Sequence, residues 1–467
     1  MENAISPFQK NPELKKSLWE DLINCKVIEK VGEQKAQKYF NDLELWLCQA
    51  PHFTTVRVNT LETTTLQAKE DLREILDKQI SSGERTDKFT VDIHPHVPDL
   101  LIVSSASDNE AVHPWRRELI VGALCGVAVL RGADVYAPGV MGAPLNLIQG
   151  EKVSVFADVN GMCKRGLTKV FTGDKVFVGN GISVMSRQDI FNVSSPSGLA
   201  VRIVKRICPS PSLNGIMEER LFLQNLPSVV CCHVLNPQPG DWVLDMCAAP
   251  GGKTTHLAVL MKNKGTIVAL DKSKYKIQRL SENIQRQKFS NVFTFACDSS
   301  KALECGKTGF DAYITKKTGG VPKLPFPPEL FDCILLDAPC SALGQRPQFT
   351  NSMSTKELCS FPSLQKKLFK TAVSLLKKTG KLVYSTCTLT IAENERLVSW
   401  ALDTFPSLAL EKQEPHLGYQ GLIGGGLSEE QRLKLQRFGI SPQDGFENSV
   451  ERDTIGFFIA KFCKCDV

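Results

Sequence analysis

The chain has 467 residues, 42% of them hydrophobic, 23% charged and 7% aromatic. That length and composition suit about three globular domains of roughly 100 to 200 residues each and exclude a disordered, collagen-like or small disulfide-framed protein. The net charge of +6 is too mild for a non-specific nucleic-acid coat, so any polyanion site must come from local clustering.

Residues 1–111 combine charged helical stretches around 15–40 with a β-rich run, Phe53-Thr-Thr-Val-Arg57-Val-Asn59-Thr60, and are expected to form an N-terminal α+β region. Residues 112–204 change character. Short Val-rich strands at 119–130, 133–136, 153–158 and 175–178 alternate with glycine turns, which predicts a small β-barrel or sandwich. From 205 to 467 strands alternate with helices, the pattern of a parallel sheet in an α/β layer structure. Its predicted strands are 241–245, 265–271, 292–298, 331–337 and 380–385, and four of the five end on an aspartate. Ile277, Leu280 and Ile284 mark one helix, and Leu364, Leu368, Ala372 and Leu375 another. Residues 306–330 and much of 405–452 read as long loops, and 455–459 is expected to close the sheet.

The most apolar stretch, 119–130, is broken by Gly122 and Gly126 and falls short of the roughly 20 residues that a membrane span requires. Sixteen cysteines, with no basic and apolar leader at the start, read as free thiols of a reducing compartment. A cytoplasmic protein without a membrane partner is expected. No Cys-x-x-Cys pair occurs and only seven histidines are present, so no metal site is expected.

In an open parallel sheet the ligand lies beyond the carboxyl ends of the strands. After the first strand comes Cys247-Ala248-Ala249-Pro250-Gly251-Gly252-Lys253-Thr254, a loop whose glycines let backbone amides approach a ligand. It is not a phosphate-binding loop, because Cys247 stands where that motif requires its first glycine. Asp271 ends the second strand about 20 residues on, the spacing at which a carboxylate accepts the hydroxyls of a ribose. Asp298, one strand further, is placed to reach the base of the same nucleoside. The plain alternative is that these aspartates cap the helices that follow.

The fourth strand runs into Asp337-Ala-Pro-Cys340 and the fifth into Ser385-Thr-Cys387-Thr388, so two thiols should open on the same edge as the nucleoside. A thiolate beside a methyl-donating nucleoside suits methylation of carbon 5 of a pyrimidine. Addition of the thiolate to carbon 6 makes carbon 5 enamine-like, and elimination then frees the product. Asp337 is placed to act near ring nitrogen 3, and Lys253 to favour the thiolate.

Together the three motifs resemble the RNA cytosine-C5 methyltransferases of the Sun-domain family, over residues 205–467. The resemblance implies a Rossmann-like core using S-adenosyl-L-methionine, with Cys387 the nucleophile and Cys340 assisting breakdown of the covalent adduct. Arg131-Gly-Ala-Asp-Val-Tyr136 and Gly173-Asp-Lys-Val-Phe-Val-Gly-Asn180-Gly181 resemble a PUA domain, an RNA-binding barrel, over 112–204. That combination is similar to the PUA-containing branch of the family. It implies a monomer that methylates cytosine near the 3′ end of tRNA acceptor stems, with the CCA end held by the PUA domain and some messenger RNAs as further candidates. Arg131, Tyr136, Lys164, Arg165 and Asn180 are the expected RNA contacts, Tyr136 by stacking and Lys164 and Arg165 on phosphates. Ala342 departs from the glycine that usually follows Pro-Cys-Ser. Two rivals remain: an amino-group methyltransferase, which would need an aromatic residue at Cys340, and a non-catalytic RNA-binding protein on a methyltransferase scaffold.

Overall fold

The computed structural model describes residues 6–23, 32–82, 88–105, 111–208, 213, 215–304, 322–441 and 449–465, and three sheets organise them. In the largest, five parallel strands lie in the spatial order Val292–Ala296, Thr266–Asp271, Trp242–Asp245, Phe331–Asp337, Leu376–Thr386. These are near-continuous apolar runs because both faces are covered. Helices Leu226–Leu235 and Gly252–Leu260 set Val229, Val230 and Leu257 against Val243, Ile267 and Leu335. On the other face, helices Thr355–Leu375 and Glu395–Thr404 set Phe369, Ala372, Leu397 and Val398 against Leu244, Ile334 and Leu336. Leu364, expected on the buried stripe with Leu368, is exposed, because the inward position there belongs to Gln365, which is fully buried.

The run expected to close the sheet is an interior strand. Phe457–Lys464 lies antiparallel beside Leu376–Thr386, and both Leu408–Leu410 and Gln436–Phe438 pair with it. The supposed loop at 405–452 therefore contains two three-residue strands and the short helix Glu429–Leu433, elements too brief to show a period in sequence. Most of the other long loop, 305–321, lies outside the described residues.

An N-terminal antiparallel sheet has the order Leu221–Leu223, Phe53–Val58, Leu100–Ser105, Phe89–Ile93, and helix Thr65–Ser81 buries Leu72 and Leu76 against it. Its edge strand, Leu221–Leu223, comes from beyond residue 204, so the chain completes this sheet before entering the α/β layers. Buried Asp99 staples the two together, with His233 Nε2 at 2.7 Å from one carboxylate oxygen and His256 Nε2 at 2.8 Å from the other. Burial pushes the His256 imidazole down to about 4, so it is held neutral in this staple.

Between residues 112 and 204 the strands run Val135–Tyr136, Leu199–Arg206, Lys175–Ser183, Lys152–Asp158, Glu118–Gly122, Val140–Gly142. The barrel expected here is a nearly closed sheet: its two edge strands are joined by the turn Ala137–Gly139 but do not pair with one another. The stretch 119–130 is not one strand. Glu118–Gly122 is a strand and Ala123–Leu130 a helix that buries Val129 and Leu130 while Leu124 faces solvent. A continuous apolar run cannot distinguish these two forms by periodicity.

Candidate active site

The order of the parallel strands reverses between Trp242–Asp245 and Phe331–Asp337, and the crevice opens at their carboxyl ends. The first loop, from Met246 to Gly251, enters the helix Gly252–Leu260 through a left-handed Gly251 with φ +108°. A Cβ on Gly251 would stand 2.5 Å from Leu280 Cδ1, so this close approach of backbone to helix requires glycine. Cys247, Ala248, Ala249, Pro250, Gly252 and Lys253 line a cavity of about 200 Å³ together with Asp245 and Asp337. Asp245, absent from the expected site, lies at its floor. Burial pushes its carboxyl up to about 7, Thr254 Oγ1 donates to Oδ2 at 2.7 Å, and Oδ1 has no partner among the described residues.

Asp271 and Asp298 end the next two strands outside that cavity's wall. Both also serve the chain locally, but only Asp298 caps the helical turn that follows it; the helix after Asp271 is capped by Ser273. Asp271 Oδ1 accepts from Ser273 N at 2.9 Å, and Asp298 Oδ1 accepts from Ser300 N at 3.1 Å and Ser300 Oγ at 2.8 Å. Each retains its second carboxylate oxygen for a ligand, so capping and nucleoside binding do not compete.

Lys253 Nζ lies 2.7 Å from Asp337 Oδ2, and Ser385 Oγ donates to Asp337 Oδ1 at 2.7 Å. Burial would lower the ammonium's proton affinity, but Asp337 outweighs it, and Lys253 is held above the usual lysine range. Cys340 and Cys387 meet with their sulfurs 3.5 Å apart. The pair is asymmetric: the hydrogen bond from Cys340 holds the Cys387 thiol below the usual range, with help from Gln345 and Lys253. The same contact and burial push Cys340 well above it.

Glu393, a residue the sequence did not single out, holds the two thiol loops together. It is buried and accepts from Ser341 N at 3.0 Å, Ser341 Oγ at 2.5 Å, Thr390 Oγ1 at 2.9 Å and Gln365 Nε2 at 2.8 Å. Ser341 Oγ also meets Thr388 Oγ1 at 2.6 Å, and Gln365 Nε2 reaches Pro339 O at 3.0 Å. A buried network that joins both loops fixes their geometry in a low-dielectric interior, with Gln365 Oε1 its one member atom lacking a partner among the described residues.

The five expected RNA contacts are not alike. Tyr136 is 57% exposed and Lys164 is exposed. Arg131 donates to Arg346 O at 3.0 Å and so braces the small sheet against the loop after Cys340. The Arg165 guanidinium is held by the carbonyls of Val140 at 2.7 Å and of Pro138 and Ile190 at 3.2 Å, and stacks over Phe191. Asn180 cannot touch RNA in this fold: it is fully buried, accepts from Ser154 Oγ at 2.6 Å and donates to His113 O at 2.9 Å. The strand register with Leu199–Arg206 shifts between Asn180 and Gly181.

Residues 232–462 match the family described as 16S rRNA methyltransferase RsmB/F. The chain is 44% identical to the mouse tRNA (cytosine(72)-C(5))-methyltransferase NSUN6, over 97% of this chain and 96% of that one. The human protein of the same name is 43% identical, over 97% of each chain. The crystal structure of NSun6 from Pyrococcus horikoshii with SFG, an S-adenosylmethionine analogue, superposes with a TM-score of 0.69 at 29% identity, covering 97% of this chain and 98% of that one. With this coverage and these motifs, the chain belongs to the S-adenosylmethionine-dependent RNA cytosine-C5 methyltransferases of the Sun-domain family.

Proposed function

We propose that this protein methylates carbon 5 of a cytosine near the 3′ end of tRNA acceptor stems, through a covalent bond between Cys387 and carbon 6. The observation that carries the reading is the pair of thiols 3.5 Å apart beside the Lys253–Asp337 ion pair, at the point where strand order reverses.

The cofactor fits the residues present. Asp245 offers a buried carboxylate oxygen without a partner, which suits the ammonium group of a methionine moiety. The amides of residues 247–252 would cradle that end, Asp271 would take the ribose hydroxyls and Asp298 the adenine. When bound, S-adenosylmethionine supplies an electrophilic methyl group. The protein's own part is to make carbon 5 able to take it. Cys387, the sulfur with the lower proton affinity, adds to carbon 6 as thiolate. The charge that develops on the ring is met by the Lys253–Asp337 pair, in which Lys253 carries the proton. Asp337 thus acts through its lysine rather than alone as the acid. After loss of the carbon 5 proton to solvent, the carbon 6–sulfur bond breaks, and Cys340 donates its hydrogen bond to the departing sulfur.

The small six-stranded sheet is the PUA module in this reading, with exposed Tyr136 and Lys164 toward the CCA end and the residues at 205–467 forming the catalytic domain. The relatives' printed names, which specify cytosine 72 of tRNA, support tRNA as the substrate. One copy of the chain contains every group the chemistry uses, which supports a monomer, and some messenger RNAs with a similar end are further candidates.

Nucleoside mass spectrometry on unmodified tRNA transcripts, incubated with the protein and S-adenosylmethionine, tests this. Expected are 5-methylcytidine with the intact chain, none with Cys387→Ala, and with Cys340→Ala a protein–RNA adduct that survives a denaturing gel. An intact protein that binds RNA but forms neither product nor adduct would favour the non-catalytic reading.

A further inference from the structure

Gln224 follows the strand Leu221–Leu223, and its backbone is fixed by Thr55, which accepts from Gln224 N at 3.3 Å and donates its Oγ1 to Gln224 O at 2.6 Å. The side chain is 9% exposed, yet neither Nε2 nor Oε1 has a hydrogen-bond partner among the described residues. Burial of a carboxamide with both ends unsatisfied is unfavourable and calls for a ligand or another explanation. Of the neighbouring polar groups of the cleft, Thr254 is paired with Asp245 Oδ2, and Lys253 and Ser385 with Asp337, while Asp245 Oδ1 shares with Gln224 the lack of a partner among the described residues.

The position of the amide tells which ligand. Gln224 lines the 200 Å³ cavity that holds Lys253 and Asp337, and also an adjoining cavity of about 240 Å³ walled by Gln345 and Arg346. Gln345 is one of the side chains whose presence lowers the proton affinity of Cys387. A Cβ on Gly252 would lie 3.7 Å from Gln224 Cδ, so the carboxamide stands at the start of the helix that presents Lys253. Asp271 and Asp298 line neither cavity. Cys340 and Cys387 line neither cavity as well, so what ties the unsatisfied amide to the target base is the cavity it shares with Lys253 and Asp337, the pair that meets the ring.

We propose that Gln224 is a binding residue for the target base, its carboxamide meeting the polar edge of the flipped cytosine opposite the Lys253–Asp337 pair. A carboxamide offers a donor and an acceptor side by side, which matches the adjacent donor and acceptor on the edge of cytosine. The inference rests on the proposed methylation and adds a residue to it.

The test compares Gln224→Met, an apolar side chain of similar length, and Gln224→Ala with the parent on unmodified tRNA transcripts. Thermal unfolding and cofactor affinity, titrated with S-adenosylhomocysteine, are measured alongside. Expected is a fall in kcat/KM for RNA of roughly 10- to 100-fold, the size of one or two lost hydrogen bonds to a polar base. Cofactor Kd should stay within about twofold, and the Met variant should be at least as thermostable as the parent, because an unsatisfied amide has been removed. A Gln224→Met enzyme with parental kcat/KM would overturn the inference, as would a tenfold weaker cofactor Kd, which would assign the amide to the methionine end. A parent protein that makes no 5-methylcytidine would instead sink the methylation itself, and this contact with it.

Discussion

The catalytic crevice and the six-stranded sheet place their polar residues in opposite ways. In the crevice, buried polar atoms of two residues that line the cavity, Asp245 Oδ1 and both ends of Gln224, have no partner among the described residues, while the loops behind them are tied together through Glu393. In the small sheet, of the polar residues the sequence offered for RNA, Asn180 is buried and bonded to Ser154 and the His113 carbonyl, and Arg165, though exposed, gives its guanidinium to backbone carbonyls. An unsatisfied buried group is informative where its residue lines a cavity, whereas a polar residue type in a turn-rich strand marks nothing until its direction is known.

The largest expected effect breaks the crevice. Lys253→Met should lower kcat/KM by about 100-fold or more, because it removes a charged proton donor from the ring and a cation from the thiol. The pH profile separates these two losses. The thiolate-dependent rate rises with pH through the proton affinity of Cys387, which lies below the usual thiol value partly because of Lys253. Without that charge the thiol holds its proton to higher pH, so the rising limb should move upward in pH. A limb that stays in place would show that the lysine serves the ring alone.

Next in size is a substitution in the small sheet. Asn180→Ala removes a fully buried carboxamide together with its bonds from Ser154 Oγ and to the His113 carbonyl, and should cost about 1–3 kcal/mol of unfolding free energy, read by denaturant titration. RNA affinity of the folded protein should be unchanged. Tyr136→Ala sharpens the contrast: at an exposed site it should leave stability within about 0.5 kcal/mol while weakening RNA binding by about 1 kcal/mol, the lower range for loss of one stacked base. If the two variants exchanged these signatures, the inward and outward assignments would be reversed.

What the sequence made legible follows the same division. Lys253, Asp337, Cys340 and Cys387 each stand in a contiguous motif at a strand end, and strand ends on one edge of a parallel sheet necessarily meet. Glu393 was illegible because its burial depends on Ser341, 52 residues away, landing upon it; alone it reads as an acid before a helix. Gln224 was illegible because an unpaired amide is visible only as a missing contact. Asn180 was offered by a motif, which carries no side-chain direction, and the helix within 119–130 is a continuous apolar run with no period to read.

The smallest effect concerns backbone strain. Between residues 112 and 204 every residue with positive φ is a glycine, for example Gly161, Gly166 and Gly198. The crevice instead places Ala342, two residues after Cys340, at φ +54°. A Cβ in the left-handed region costs about 1 kcal/mol relative to glycine, and the greater freedom of glycine in the unfolded chain returns part of that. Ala342→Gly should therefore raise the unfolding free energy by a few tenths to about 1 kcal/mol, measured by denaturant titration. The strain lies in the loop whose Ser341 is held by Glu393, where the surrounding bonds can sustain it. A variant that is less stable than the parent would show that the Ala342 methyl contributes packing that outweighs the strain. The crevice would then differ from the small sheet by its contacts and not by its backbone.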